Sequence, residues 1–174
     1  MKKLFLTLCL CVMTVCVSAQ QFSVWYGFNL ASVDFSAYSP DSKIKFLNFG
    51  VEYEAPFLDV PLSQFEWAAG VSYVTKGYDG WSPGFFQLDA NARWNLLQDT
   101  DYKVSLLAGP YLGFMVLDDD MEHTNNVDFG IGVGAMGTYQ DFYLKLGYEF
   151  GLTNSLENLG SKMRQFYVRV GYNF

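Results

Sequence analysis

The sequence predicts an all-β fold, a closed antiparallel eight-stranded up-and-down transmembrane β-barrel. Three observations predict it. After the N-terminal region, apolar and polar residues alternate with a period of two in one segment after another, which is typical of strands with two different faces. Each segment is long enough for the roughly 9–11 residues that a tilted strand needs to cross a bilayer. Short and long connections alternate between the segments.

The first element is a predicted secretory signal peptide. Lys2 and Lys3 precede an uncharged apolar stretch from Leu4 to Val17, which is shorter than the roughly 20 residues of a membrane-spanning helix. Small residues at Val17-Ser18-Ala19 suit a cleavage site. We therefore predict that residues 1–19 are removed and that residues 20–174 form one domain, the barrel.

Composition excludes several classes of function. All three cysteines (Cys9, Cys11 and Cys16) lie in the predicted signal, so the mature chain would have no disulfide, thiolate metal site or thiol nucleophile. The chain has 11 basic and 18 acidic residues, and removal of Lys2 and Lys3 would change its net charge from −7 to −9. Nucleic-acid binding needs a positive patch, so a nucleic-acid partner is not expected.

Alternation defines eight predicted strands in order. It is clearest in 142–151, where Phe142, Leu144 and Leu146 fall on one face and Tyr143, Lys145 and Gly147 on the other. The predicted strands are 22–32, 44–54, 63–76, 86–96, 102–117, 127–139, 142–151 and 165–174.

The connections differ in length at the two ends of the predicted barrel. Longer polar connections cover 33–43, 77–84, 118–126 and 153–162, whereas 98–101 and 140–141 are tight turns and 55–61 is intermediate. Outer-membrane barrels have short turns on the periplasmic side and longer loops outside. An even number of strands would then place both termini in the periplasm of a bacterial outer membrane.

Side-chain volume predicts which face points inward. Eight strands enclose an interior just wide enough for side chains to fill it. One face carries bulky Phe, Tyr, Trp and Leu in nearly every strand, and the other carries most of the glycines. We therefore expect the aromatic face to meet lipid. A soluble ligand-binding barrel, with the two faces exchanged, is a minor alternative.

The inward face carries charges of both signs that nearly balance. Unpaired charges are costly to bury, so we predict a plugged lumen of ion pairs and hydrogen bonds in preference to a proton or ion path. The predicted lumen network comprises Glu52, Glu66, Lys76, Asp89, Arg93, Asp128, Lys145, Glu149 and Arg169. The aromatic residues predicted to form interfacial girdles are Tyr53, Trp67, Tyr102, Tyr139, Tyr143 and Tyr172.

Short fragments in a fixed order carry a family resemblance. They are Thr75-Lys76-Gly77, Ala108-Gly109-Pro110-Tyr111-Leu112-Gly113-Phe114, Asp128-Phe129-Gly130, Gly147-Tyr148, Gly151-Leu152-Thr153-Asn154 and Gly171-Tyr172-Asn173-Phe174. Across the predicted mature chain they resemble the outer-membrane β-barrel domain family that includes PorT-like small outer-membrane proteins. The resemblance implies an eight-stranded membrane barrel. Some PorT-like members are linked to protein secretion, but a shared fold does not imply a shared activity.

The C-terminal residues Tyr172 and Phe174 resemble the signal by which the barrel-insertion machinery recognises its clients.

Elsewhere we predict no catalytic residue, metal or cofactor. His123, the only histidine, lies in an acidic loop with Asp118, Asp119, Asp120 and Glu122. An enzyme centred on His123, or a cation bound by these carboxylates, would need this loop to be preorganised.

Three functional hypotheses follow. The favoured one is a non-enzymatic structural or surface-interaction barrel that contacts outer-membrane lipid, lipopolysaccharide or a partner protein. The alternative is an accessory component of a secretion or transport assembly in the envelope, and an outer-membrane enzyme is less favoured. Co-purification from gently solubilised membranes separates the first two, because an assembly component should bring a stoichiometric partner.

Overall fold

A computed structural model describes residues 21–34, 42–57, 64–117, 125–154 and 161–174. The predicted signal peptide, residues 1–19, lies outside these ranges and stays a prediction. The acidic residues 118–120 and 122, with His123, also lie outside them.

The described residues form eight strands in one closed sheet. Each strand pairs antiparallel with the next, and the first pairs with the last, which closes the barrel in the order of the sequence. The predicted fold class is therefore confirmed. The strands are β1 (Gln21–Asp34), β2 (Lys43–Pro56), β3 (Phe65–Thr75), β4 (Gly84–Gln98), β5 (Tyr102–Leu117), β6 (Val127–Tyr139), β7 (Phe142–Gly151) and β8 (Lys162–Asn173).

The barrel has two different ends. The short-turn end carries the connections 57–64, 99–101 and 140–141, together with the start of β1 and the end of β8. In the two-residue turn, Gln140 has a φ of 52°, the positive value that primed hairpin turns require at their first central residue. The loop end carries 35–42, 76–83, 118–126 and 152–161. No described helix combines the length and hydropathy that a membrane span requires.

The two faces of the wall have the predicted orientation. Exposed outward positions alternate with buried inward positions along nearly the whole length of β1, β3, β7 and β8. Large apolar side chains occupy the outward face, among them Phe28, Phe49, Trp94, Leu106, Ile131 and Phe166. Such a wall would be unfavourable in water over its whole circumference and favourable in hydrocarbon.

One residue predicted in the girdle lies in the lumen instead. Tyr143 is only 3 % exposed and points inward, whereas Tyr53, Trp67, Tyr102, Tyr139 and Tyr172 lie on the outward face. The reason is the alternation along β7, which puts Tyr143 on the same face as Lys145, and the opposite residue, Gly171, leaves room for the ring. Three other inward aromatics also face a glycine, in the pairs Trp25 with Gly50, Tyr111 with Gly130 and Tyr167 with Gly147.

Candidate functional site

The lumen contains two networks of ion pairs, and the lower network lies toward the short-turn end. It alternates in sign along six side chains, in the order Glu66, Lys103, Glu54, Arg93, Glu52 and Lys145. Lys103 Nζ lies 2.9 Å from Glu66 Oε2 and 2.7 Å from Glu54 Oε1. The Arg93 guanidinium donates to Glu54 through one nitrogen and to Glu52 through another. Lys145 Nζ donates to both oxygens of Glu52, at 2.7 and 2.9 Å.

Small residues on β3 allow Arg93 to reach the carboxylates of β2. Glu52 and Glu54 stand two residues apart and therefore share the inward face of β2. On the intervening strand, their direct partners are Gly70 and Ala68, whose side chains leave the space above β3 open. The Arg93 side chain crosses this space from β4, and its planar fork binds two carboxylates at once. The lower network thus connects β2 to β5 and, through Lys145, to β7 on another part of the wall.

The upper network lies nearer the loop end. Lys76 Nζ lies 2.8 Å from Asp128 Oδ2 and 3.5 Å from Glu149 Oε2, and Arg169 Nη2 lies 3.0 Å from Glu149 Oε1. Gln87 and Gln165 also donate hydrogen bonds to Glu149. A buried carboxylate surrounded by four donors has its lone pairs satisfied without water.

Aromatic rings complete the surroundings of two cations in the upper network. Lys76 Nζ lies 4.0 Å from the centre of the Tyr111 ring. The Arg169 guanidinium lies 4.3 Å from the Trp25 ring and 4.0 Å from the Tyr167 ring. These cation–π contacts replace part of the hydration that both groups lose inside the barrel.

The structure brings eight of the nine predicted lumen residues into these two networks. Asp89 is the exception, because it is half-buried and accepts a hydrogen bond from Asn91 Nδ2 at 3.1 Å instead of joining an ion pair of the described residues. Sequence reasoning missed Glu54 and Lys103, which lie at the ends of the predicted strands. The alternation of inward and outward residues along those strands already placed both on the inward face. With them included, each network contains equal numbers of acidic and basic side chains.

The lower network ends at a cavity that is open at the short-turn end. This cavity has a volume of about 520 Å³, and its lining consists of Gln21, Glu54, Pro56, Glu66, Gln98, Lys103 and Phe174. Glu54, Glu66 and Lys103 are each between 11 % and 14 % exposed there, whereas Arg93 and Lys145 deeper in the lumen are 1 % exposed. Among the described residues, no three His, Cys, Asp or Glu side chains are grouped so that they could hold a metal ion.

Comparisons with solved structures agree with this architecture. The chain is similar to Ail, the attachment invasion locus protein of Yersinia pestis, with a TM-score of 0.50 and 13 % identity over 90 % of this chain and 100 % of that one. It is similar to Neisserial surface protein A, NspA, with a TM-score of 0.50 and 15 % identity over 88 % and 97 %. The outer membrane enzyme PagL gives a TM-score of 0.55 and 10 % identity over 87 % and 98 %. The fold is that of a small outer-membrane barrel.

These likenesses concern the fold, since their sequence identities are low. No family model matches the chain, and no curated protein matches its sequence. The resemblance to PorT-like proteins therefore stays a prediction.

Proposed function

We propose that the protein is a non-enzymatic integral barrel of the bacterial outer membrane, with a plugged polar lumen and a structural or surface-interaction role. One observation carries the proposal, namely that the outward wall is apolar while the inward charges form two balanced networks. Charges that are paired within a narrow barrel stabilise a filled interior and leave little space for a water-filled channel.

The proposed orientation places the short-turn end and both termini in the periplasm. At that end, outward aromatic rings contact one another in the groups Phe22–Tyr53–Trp67, Phe65–Trp94 and Phe142–Tyr172–Phe174. Such rings favour the interface between hydrocarbon and headgroups. The proposed partners are therefore outer-membrane lipid along the wall and lipopolysaccharide or an envelope protein at the loop end.

The proposal is tested by refolding the mature chain with and without detergent, followed by unboiled and boiled samples on a denaturing gel. We expect a heat-dependent shift in mobility that requires detergent, because the outward wall needs an apolar solvent to fold. The refolded barrel should also conduct no steady current in a planar bilayer. Cooperative folding in plain buffer would overturn the membrane assignment, and a steady conductance would overturn the plugged lumen. A stoichiometric partner recovered from native membranes would favour the secretion or transport alternative.

We also propose that Tyr172 and Phe174 form the C-terminal signal for the barrel-insertion machinery. Phe174 is 73 % exposed, and its ring contacts that of Tyr172, whose other ring neighbour is Phe142. Phe174→Ala should therefore lower the fraction of heat-modifiable barrel recovered from outer membranes in cells. Phe142→Ala is the matched control, because it removes a ring from the same group without changing the C-terminal residue.

Both variants should refold equally well in detergent, where no machinery acts. If Phe174→Ala and Phe142→Ala lose the same fraction of membrane-inserted barrel, the C-terminal ring is only a lipid-facing residue and the signal is refuted.

A further inference from the structure

The connection between β3 and β4, residues 76–83, is a small folded unit at the loop end of the barrel, and we name it the cap. Tyr78 and Trp81 exchange two backbone hydrogen bonds, of 3.1 and 3.2 Å, around a tight turn. The amide of Lys76 donates to the carbonyl of Pro83 at 3.0 Å, which closes the base of the unit. Gly77 and Gly80 both have a φ of 99°, a conformation that other residues rarely adopt.

The cap buries an aromatic ring in the mouth of the barrel. Trp81 has no solvent exposure, although it belongs to a connection and not to a strand. It lies in one apolar cluster with Val33, Val74, Phe85 and Met163, which come from the loop-end parts of β1, β3, β4 and β8. Buried side chains from four strands thus belong to the same apolar cluster as this ring at the loop end of the barrel.

Lys45 of β2 ties the cap to the wall. Its side chain is buried, and Nζ donates to the carbonyls of Tyr78 at 3.1 Å and Trp81 at 3.2 Å and to the Ser82 hydroxyl. A buried ammonium needs such acceptors because it has lost its hydration. A second tie is exposed, where Lys43 Nζ donates to Asp79 Oδ1 at 2.5 Å. This hydrogen bond holds the pKa of the Asp79 carboxyl below its ordinary value.

The opposite end of the lumen is open at the 520 Å³ cavity beside Lys103 and Glu66. We infer that the cap closes the lumen at the loop end, that Lys45 is the latch that holds it closed, and that solvent and solutes reach the lumen from the short-turn end. This inference goes beyond the proposed function and does not depend on the orientation in the membrane. In the proposed orientation, it assigns access to the lumen to the periplasmic side.

Cysteine accessibility tests the inference in the full chain with Cys9, Cys11 and Cys16 replaced by alanine. V33C places a thiol in the cluster under the cap, and Q98C places one at the open cavity. A bulky, charged maleimide applied to the detergent-solubilised barrel should label the Q98C thiol rapidly and leave the V33C thiol protected. Adding either Lys45→Met or Trp81→Ala should speed labelling of V33C at least about tenfold. This factor corresponds to a decrease of roughly 1.4 kcal/mol in the free energy of opening the cap.

Asp79→Ala is the matched control, because it removes the acceptor of the exposed tie from Lys43 and leaves the latch intact, so V33C should stay protected. A heat-dependent gel shift shows that each variant has folded before it is labelled. Labelling of V33C as fast as Q98C with the native cap would overturn the closed loop end. Continued protection of V33C in Lys45→Met would overturn the latch, whatever Trp81→Ala does.

Discussion

Replacement of Arg93 by methionine should lower the free energy of unfolding by about 3–5 kcal/mol, the usual loss when one partner of a buried ion pair is removed. Arg93 is 1 % exposed and binds Glu52 and Glu54, so its loss leaves the three carboxylates of the lower network with only two cations, Lys103 and Lys145. Methionine keeps most of the volume of the side chain, which separates the loss of charge from the loss of packing. Urea unfolding of the refolded barrel in detergent measures the change.

Arg164→Met provides the matched control, because Arg164 also forms an ion pair, with Asp34 at 2.9 Å, but its side chain is 43 % exposed. Exposed pairs contribute about 0–1 kcal/mol, so this variant should unfold almost like the native protein. Combining Arg93→Met with Glu54→Gln should recover part of the loss, because the lower network then again has equal numbers of carboxylates and cations, with Lys103 beside Glu66 and Lys145 beside Glu52. If Arg93→Met costs no more than Arg164→Met, the lower network does not stabilise the barrel.

The wall could be predicted from the sequence because lipid and lumen impose opposite requirements on alternate residues. The prediction for 142–151 matches β7 to the residue, since every second side chain there is large and apolar. The same parity identifies Lys145 and Glu149 as inward residues. It does not identify their partners, because Lys145 meets Glu52 from a distant strand, and that contact depends on the stagger of the whole barrel.

The errors have the same physical origin. Tyr143 was expected in the girdle because it is an aromatic residue near a strand end, yet it alternates with Phe142 and shares the inward face of Lys145, where Gly171 leaves room for its ring. Trp81 lies in a connection, where side chains do not alternate between two faces. Alternation therefore could not predict that its ring is buried in the mouth of the barrel. The position of Trp81 is set by contacts between elements, which a single segment of sequence does not contain, whereas the alternation of 142–151 already assigned Tyr143 to the inward face.

The glycines opposite inward aromatics provide the second large expected effect. Gly147→Ala should destabilise the barrel by about 1–3 kcal/mol, as overpacking of a filled interior usually does. A Cβ at this position would clash with Tyr167 Oη and lie 2.6 Å from the backbone oxygen of Val133. Because the ring lies directly across the strand pair and contacts the Arg169 guanidinium, it cannot move without disturbing the upper network. Urea unfolding in detergent again measures the loss.

Gly137→Ala is the matched control on the neighbouring strand, because a Cβ there meets nothing within 4 Å. It should be neutral or slightly stabilising, since alanine has less conformational freedom to lose on folding than glycine.

In a Tyr167→Ala background, Gly147→Ala should cost markedly less than in the native protein, because much of the clash involves the ring. An unchanged cost there would attribute the effect to the Val133 carbonyl alone, and an equal cost for Gly147→Ala and Gly137→Ala in the native background would refute the packing argument. The same condition therefore holds in the four glycine–aromatic pairs and in the two ion networks. Each inward side chain must fit, in size or in charge, the residues that the strand register places beside it.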